Sequence, residues 1–160
     1  METVSSSPRA TSATCRLARG PDELSAHYAV RQRVFVEDQA LFEGSDEDER
    51  DHRPGTLHAV ALYDGEVAGA VRLYPLDAAG LWKGDRLAVL PHARVRHLGA
   101  LLVRFAVATA GARGGHTMMA QIQLPNVRFF EYLGWGADGP PAPYHGVMHQ
   151  PMAIPLVPTP

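Results

Sequence analysis

The stretch Arg86 to Leu102 (RLAVLPHARVRHLGALL) has the makings of an anion site. An apolar strand pattern, Leu81 to Val89, runs through Pro91 into a tight segment carrying Arg94, Arg96 and Gly99. Leu98, Leu101, Leu102, Phe105, Ala106 and Thr109 follow at i, i+3, i+4, i+7, i+8 and i+11, which predicts an amphipathic helix beginning at that segment. The first amides of a helix have no partner within it, and the positive end of the dipole lies there. Both favour a pyrophosphate, and Arg94 and Arg96 add charge-assisted hydrogen bonds. Two other patterns are less specific. His145 and His149 are four residues apart, but they fall in a predicted loop and strand with no third ligand nearby, so no metal is expected. The run Glu43 to Asp51 (EGSDEDERD) reads first as a solvated acidic loop and second as an electrostatic attractor for a cationic amine.

The elements that must position these residues are legible from periodicity and punctuation. Cys15 to Ala18 is a candidate first strand. Gly20-Pro21-Asp22-Glu23 starts a helix that carries Leu24, His27, Tyr28, Arg31, Val34 and Phe35 to about Glu37. Ser45 with Asp48 three residues on predicts the cap of a short helix. Strands Leu57 to Tyr63 and Val67 to Tyr74 flank Asp64-Gly65, a hairpin turn. Gly84, inside the third strand, marks a bulge or a close backbone approach. After the long helix come a strand over Thr117 to Gln121, a short helix over Pro125 to Leu133 stopped by Gly134, and a strand from Trp135. A Gly/Pro-rich loop then leads to a closing strand, Val147 to Ile154. The order predicts a mixed α/β fold with an antiparallel first half and one βαβ unit.

The 160 residues imply one domain over 15–156, with a polar tail over 1–14 and a short tail over 157–160. A net charge of −2 gives no basic field, so no nucleic acid is expected. The single cysteine, Cys15, cannot form an internal disulfide. With no apolar run of the ~20 residues that span a bilayer, and no secretory leader pattern, the expected location is the cytoplasm, away from membranes.

The motif residues resemble those of the GNAT (Gcn5-related N-acetyltransferase) superfamily. Val89-x-Pro91, Arg94 and Gly99 match the family's strand exit and its (Gln/Arg)-x-x-Gly-x-(Gly/Ala) pyrophosphate loop, with His97 where the first Gly is usual. Asn126-Val127-Arg128-Phe129-Phe130-Glu131-Tyr132-Leu133-Gly134-Trp135 is similar to the family's Asn-x-x-aromatic helix and Leu-Gly-Phe turn beside the pantetheine arm. The resemblance covers roughly Leu17 to Ile154. It implies a central sheet of about six to seven strands flanked by three to four helices. It also implies acetyl-CoA as co-substrate, with no metal, and a small-molecule amine as acceptor, and it leaves a homodimer open. The implied cofactor contacts are Leu87, Ala88, Val89, Arg94, Val95, Arg96, His97, Leu98, Gly99, Ala100, Asn126 and Phe130. Tyr28 to Leu41, the acidic run and His149-Gln150-Pro151-Met152 resemble the bacterial nitrogen-starvation N-acetyltransferases. The Arg-x-Arg-Val-Phe-Val-Glu run also resembles acyl-homoserine-lactone synthases, although Ala40 stands where that family carries tryptophan.

The implied reaction is direct attack of an amine on the thioester, so Cys15 need not be a nucleophile. A backbone amide on the Leu87–Val89 edge would hold the oxyanion. Asp85 is the first candidate base, on the central strand where some members carry Glu, with His149 and His58 next. The family's general acid is a tyrosine where this chain has Phe130, which has no proton to give; Tyr144 or His145 could replace it. His97 and Phe130 also admit a second reading, a non-catalytic acyl-CoA-binding or sensor module.

Overall fold

The computed structural model describes residues 12–158, without the side chains of Val95 and Arg96. Most of the tail expected over 1–14 lies outside these residues, and the first strand, β1 (Ala13–Leu17), already occupies its end. Then come helix α1 (Gly20–Arg31), strands β2 (Leu57–Tyr63), β3 (Glu66–Pro75) and β4 (Leu81–Val89), helix α2 (Leu98–Ala112) and strand β5 (Thr117–Gln123). Helix α3 (Val127–Tyr132) and strands β6 (Gly136–Ala137), β7 (Ala142–Tyr144) and β8 (Val147–Pro155) complete the chain. One sheet runs in the order β1-β2-β3-β4-β5-β8-β6, with β7 paired to β8. β4 and β5 are parallel and the other pairings antiparallel. α2 makes the crossover that a parallel pair requires. Strand β7 was not among the expected elements; it sits inside the Gly/Pro-rich loop.

Local chemistry explains most of these boundaries. Asp64 and Gly65 have φ of 51° and 83°, the two left-handed residues of a tight hairpin turn. α1 has Pro21 in its first turn and Asp22 and Glu23 at the positive end of its dipole. The predicted helix does reach this far, but from Gln32 to Asp38 it is wound as a wider π-helix, which buries Val34 and Phe35. α2 lies on one face of the sheet, with Leu98, Leu102 and Ala110 fully buried against Ala59, Ala61, Leu73 and Met118. It approaches so closely that a Cβ on Gly69 of β3 would meet Leu102 Cδ1 at 2.9 Å. α1 lies on the other face over a smaller cluster of Val30, Val34, Phe35, Ala70 and Ala88.

Two irregularities interrupt the ladder of β4. Ala70 faces Ala88, but Arg72 already faces Asp85, so three steps of β4 match two of β3. The extra residue is Arg86, with φ of 53°. This bulge falls two residues beyond Gly84, whose small side serves close approach instead: a Cβ there would lie 3.3 Å from Met118 Sδ. The second irregularity is that β4 and β5 pair only from Leu81↔Thr117 to Lys83↔Met119 and then separate.

The acidic run is solvated only in part: Glu43, Glu47, Asp48 and Glu49 are exposed, as a surface loop would have them, but the segment is pinned at two points. Asp46 and Asp51 are buried, and the segment is clamped onto the α1 face of the sheet by three buried arginines. Arg31 donates to Asp46 Oδ2 at 2.6 Å and to both Asp51 oxygens at 2.8 and 3.0 Å. Arg72 donates to both Asp85 oxygens at 2.7 Å, to Asp48 at 2.6 Å, and lies 3.1 Å from Asp51. Arg86 takes Asp46 and Asp48 at 3.1 and 3.3 Å, with its guanidinium over the Phe42 ring. Asp48, rather than Ser45, caps the short 3-10 turn Glu49–His52 and exchanges hydrogen bonds with Asp51. Burial works to raise the Asp51 pKa, but hydrogen bonds from His58 and Arg31 hold it well below the usual carboxylate range. His27 belongs to the same network: its Nδ1–H donates to the Ala59 carbonyl at 2.9 Å and its Nε2 accepts from Arg31 at 3.2 Å. Burial and the adjacent guanidinium pull its pKa down to about 3.

The network ties stability to both charge and pH. Arg72→Met leaves the buried Asp51 and the half-buried Asp85 without their shared cation and should cost about 3–5 kcal/mol, read as a lower urea midpoint at unchanged m. Unfolded histidine titrates near 6.5. Between about pH 6.5 and 3 the unfolded chain therefore takes up a proton that folded His27 refuses. Its contribution is full above about pH 6.5 and is lost on acidification, at up to about 1.4 kcal/mol per pH unit. His27→Gln can make both hydrogen bonds without titrating, so its urea midpoint should fall less over this window than that of the wild type.

Candidate functional site

Where β4 and β5 part, the sheet opens into a cavity of about 140 Å³ whose walls come from both of its faces. The α2 side is apolar, formed by Val71, Val103, Ala106, Met118, Phe130 and Trp135. The α1 side is polar and carries Lys83, Asp85, Arg86, Gln121, Gln123 and His149, roofed by Phe35, Gln39, Leu41, Phe42 and Tyr144. The roof is tied down where Gln123 Nε2 donates to Gln39 Oε1 at 3.0 Å. Because pairing with β5 stops at Lys83, the edge of β4 from Gly84 to Val89 has no strand partner on that side. Its other edge is used by β3, which pairs with Ala88 and Val89. Leu87 lines the cavity.

The predicted anion loop lies just beyond this edge. His97 is the residue that starts α2, with φ of 60° and ψ of 25°. That left-handed conformation is why glycine is the usual residue there; histidine holds it at a strain of about 1–2 kcal/mol. The first helical bond is Leu101 N–H to the His97 carbonyl at 3.2 Å. The amides of Leu98, Gly99 and Ala100 therefore precede the helix ladder and point out of its N-terminus. Space exists over Gly99: a Cβ would touch only Phe129 and Val89, at 3.7 and 4.0 Å. Arg94 is exposed, and its Nε–H donates to the Val89 carbonyl at 3.1 Å, folding the loop over the strand exit. The side chains of Val95 and Arg96 lie outside the described residues. Asn126, just before α3, and Phe130 within it flank the cavity, with the Phe130 ring edge-on to Trp135 at 5.4 Å.

The candidate proton-transfer groups separate by their partners. Asp85 lines the cavity, but Arg72 donates to both of its oxygens and the Tyr74 hydroxyl donates to Oδ2 at 3.2 Å. His58 does not line the cavity; its ring lies 3.0 Å from Asp51 within the ion network. His149 is buried on the cavity wall, and its Nδ1 lies 2.7 Å from the Val147 carbonyl. A carbonyl can only accept, so Nδ1 carries the hydrogen and Nε2 of the neutral ring keeps its lone pair. The Tyr144 hydroxyl accepts from Arg86 at 3.1 Å and retains its own hydrogen, with its ring edge-on to His149 at 5.1 Å. His145 and Gly146 form the tight β7–β8 turn, with φ of 49° and 76°, and the His145 ring packs against that of Phe42 at 4.3 Å with a tilt of 51°. Trp135, which the sequence places beside the pantetheine arm, lines the cavity, and its Nε1–H is buried without a partner among the described residues. One group was missed by sequence reasoning. Lys83, the chain's only lysine, stands at the point where the strands part, and that uniqueness was readable from composition.

Among the described residues there is no cluster of three metal-ligating side chains, and no helix long and apolar enough to cross a membrane.

The fold is shared widely. An acyl-CoA N-acyltransferase from Pseudomonas aeruginosa superposes with a TM-score of 0.74 at 24% identity, over 90% of this chain and 99% of that one. Escherichia coli ElaA gives 0.78 at 18%, over 90% and 99%. An aminoglycoside 6'-N-acetyltransferase solved with coenzyme A gives 0.74 at 18%, over 92% and 99%. The sequence itself matches the model of the acetyltransferase (GNAT) family across residues 22–135. An open β4 edge running into the start of α2 fits that match, and the chain belongs to the GNAT acetyltransferase family, whose chemistry is acyl transfer.

Proposed function

We propose that the protein transfers an acetyl group from acetyl-CoA to the amine of a soluble small molecule in the cytoplasm, without a metal. The observation that carries this is the cavity itself, which borders an unpaired strand edge and a histidine with a free lone pair, with a helix N-terminus just beyond that edge. The pyrophosphate would sit on the amides of Leu98, Gly99 and Ala100 with Arg94, and Arg96 would add its charge from the same loop. The pantetheine arm would lie along the open edge of β4 beside Asn126 and Phe130.

The acceptor nitrogen attacks the thioester carbonyl carbon and loses its proton to His149 Nε2, directly or through one water. His149 is preferred to Asp85 because the bound tautomer leaves an acceptor on His149, whereas Arg72 and Tyr74 occupy the Asp85 oxygens. The oxyanion takes an amide hydrogen from the Leu87–Val89 edge. As the carbon–sulfur bond breaks, the thiolate accepts the Tyr144 hydroxyl proton in place of the tyrosine that Phe130 replaces.

Calorimetric titration with acetyl-CoA, followed by thiol release over a panel of amines, tests the reading. Micromolar binding with turnover of at least one amine is the expected result; no binding would overturn it. His149→Gln should lower kcat by about 10²–10⁴-fold at unchanged acetyl-CoA affinity. An equal loss in Asp85→Asn with a silent His149→Gln would reverse the assignment. His97→Gly should tighten acetyl-CoA binding severalfold in calorimetry, because glycine takes the left-handed conformation freely and lets the phosphate approach the amides.

A further inference from the structure

The cations on the α1 face are not equivalent. Arg31, Arg72 and Arg86 each hold two or more aspartates. Of the two cations lining the cavity, Arg86 is also committed to the Tyr144 hydroxyl. Lys83 has no hydrogen bond or ion pair among the described residues, and it is only partly exposed. Its pairing opposite Tyr74 places it on the same face as Arg72, Tyr74 and Asp85. The nearest carboxylate along its own strand, Asp85, is already neutralised by Arg72 at 2.7 Å. A chain that uses arginine for every buried ion pair thus keeps one lysine, and keeps it uncompensated in the cavity wall.

We infer that Lys83 anchors a carboxylate on the acceptor, so that the acceptor is an amino carboxylate and not a plain amine. The inference rests on the reading of this cavity as an amine-acetylating site. A partly buried ammonium without a counterion is unfavourable until an anion joins it. A single ammonium, unlike a guanidinium fork, meets an anion as a point charge. The pyrophosphate of the donor is not its partner, because the start of α2 lies past the far end of β4, beyond Val89. The distance to the proposed base fits an extended acceptor. Lys83 is opposite Met119 and His149 is opposite Gln123, four residues or about 13 Å along β5 and two strand spacings or about 10 Å across it, so their backbones stand about 16 Å apart, part of which the two side chains themselves cover. Gln121 lies between them on the cavity wall and can hold a polar mid-section.

The lone lysine supplies its own probe. Reductive methylation with ¹³C-formaldehyde keeps the charge and labels only Lys83 and the chain's amino terminus. With CoA bound, the Lys83 signal should shift on titration with glycine, 4-aminobutyrate or 6-aminohexanoate, and stay in place with the alkylamines of equal length. In thiol release, kcat/KM for the preferred amino carboxylate should exceed that for its matching alkylamine by about tenfold or more. Lys83→Met should bring that ratio close to one, and Lys83→Arg should restore part of it. A Lys83 signal that ignores the carboxylates, or a preference that survives Lys83→Met, overturns the inference. So does a matching rise in the KM for acetyl-CoA, which would assign Lys83 to the donor. If Lys83→Met does not fold, the titration of the wild-type protein decides alone. Turnover of plain amines without any carboxylate preference leaves the acetyltransferase reading intact and removes the role of Lys83. A shift of the Lys83 signal without turnover of any amine does the reverse.

Discussion

The site exists because two parallel strands stop pairing. β4 and β5 share three residue pairs and then diverge, and the groups proposed for proton transfer line the wedge this leaves. A continued pairing would consume the β4 edge, close the cavity and bury His149 against a filled sheet. The divergence is held by packing on both sides. On one face α2 presses Leu102 onto Gly69 and anchors β3 and β4. On the other, the bulge at Arg86 turns a guanidinium away from the regular ladder and into the aspartates of the folded-over acidic segment. The π-helical end of α1 completes the arrangement by delivering Phe35 to the cavity roof.

The acidic segment changes the electrostatic picture of the molecule. Guanidinium groups within hydrogen-bond reach take up much of the charge of Asp46, Asp48 and Asp51, and what field the segment projects into solvent comes from its exposed residues, Glu43, Glu47 and Glu49 among them. Buried ion pairs of this kind contribute little net stability once desolvation is counted, but they are unforgiving of loss of one member. Their role here is positional. They fix a stretch with little regular structure against β3 and β4 and carry Leu41 and Phe42 to the roof.

Much of this was legible in the chain. The stripe from Leu98 to Thr109, the Asp64-Gly65 turn and the Gly134 stop are short-range signals, and each element appears where its signal stands. The GNAT resemblance was carried by residues of the same local kind. What escaped was set by contacts distant in sequence. Nothing near Asp46 or Asp51 announces that Arg31, Arg72 and Arg86 will meet them, so a run of acids reads as a wet loop. The bulge lies at Arg86 although Gly84 looked the better place, because its position depends on matching β3 on one side while releasing β5 on the other. As sequence candidates Asp85 stood ahead of His149; the partners of each, two donors to one and a carbonyl acceptor for the other, are long-range features that no sequence signal could weigh.

The lone cysteine has a practical corollary. Cys15 lies on the edge strand β1, packed against the main core, and burial pushes its thiol up to about 11. Since the thiolate is the reactive form, this sulfur is nearly inert toward oxidants, alkylating agents and disulfides at neutral pH. The folded chain thus contributes almost no thiol reactivity of its own. Any free thiol that accumulates in a thiol-release assay would therefore report on the proposed acyl donor and not on the protein.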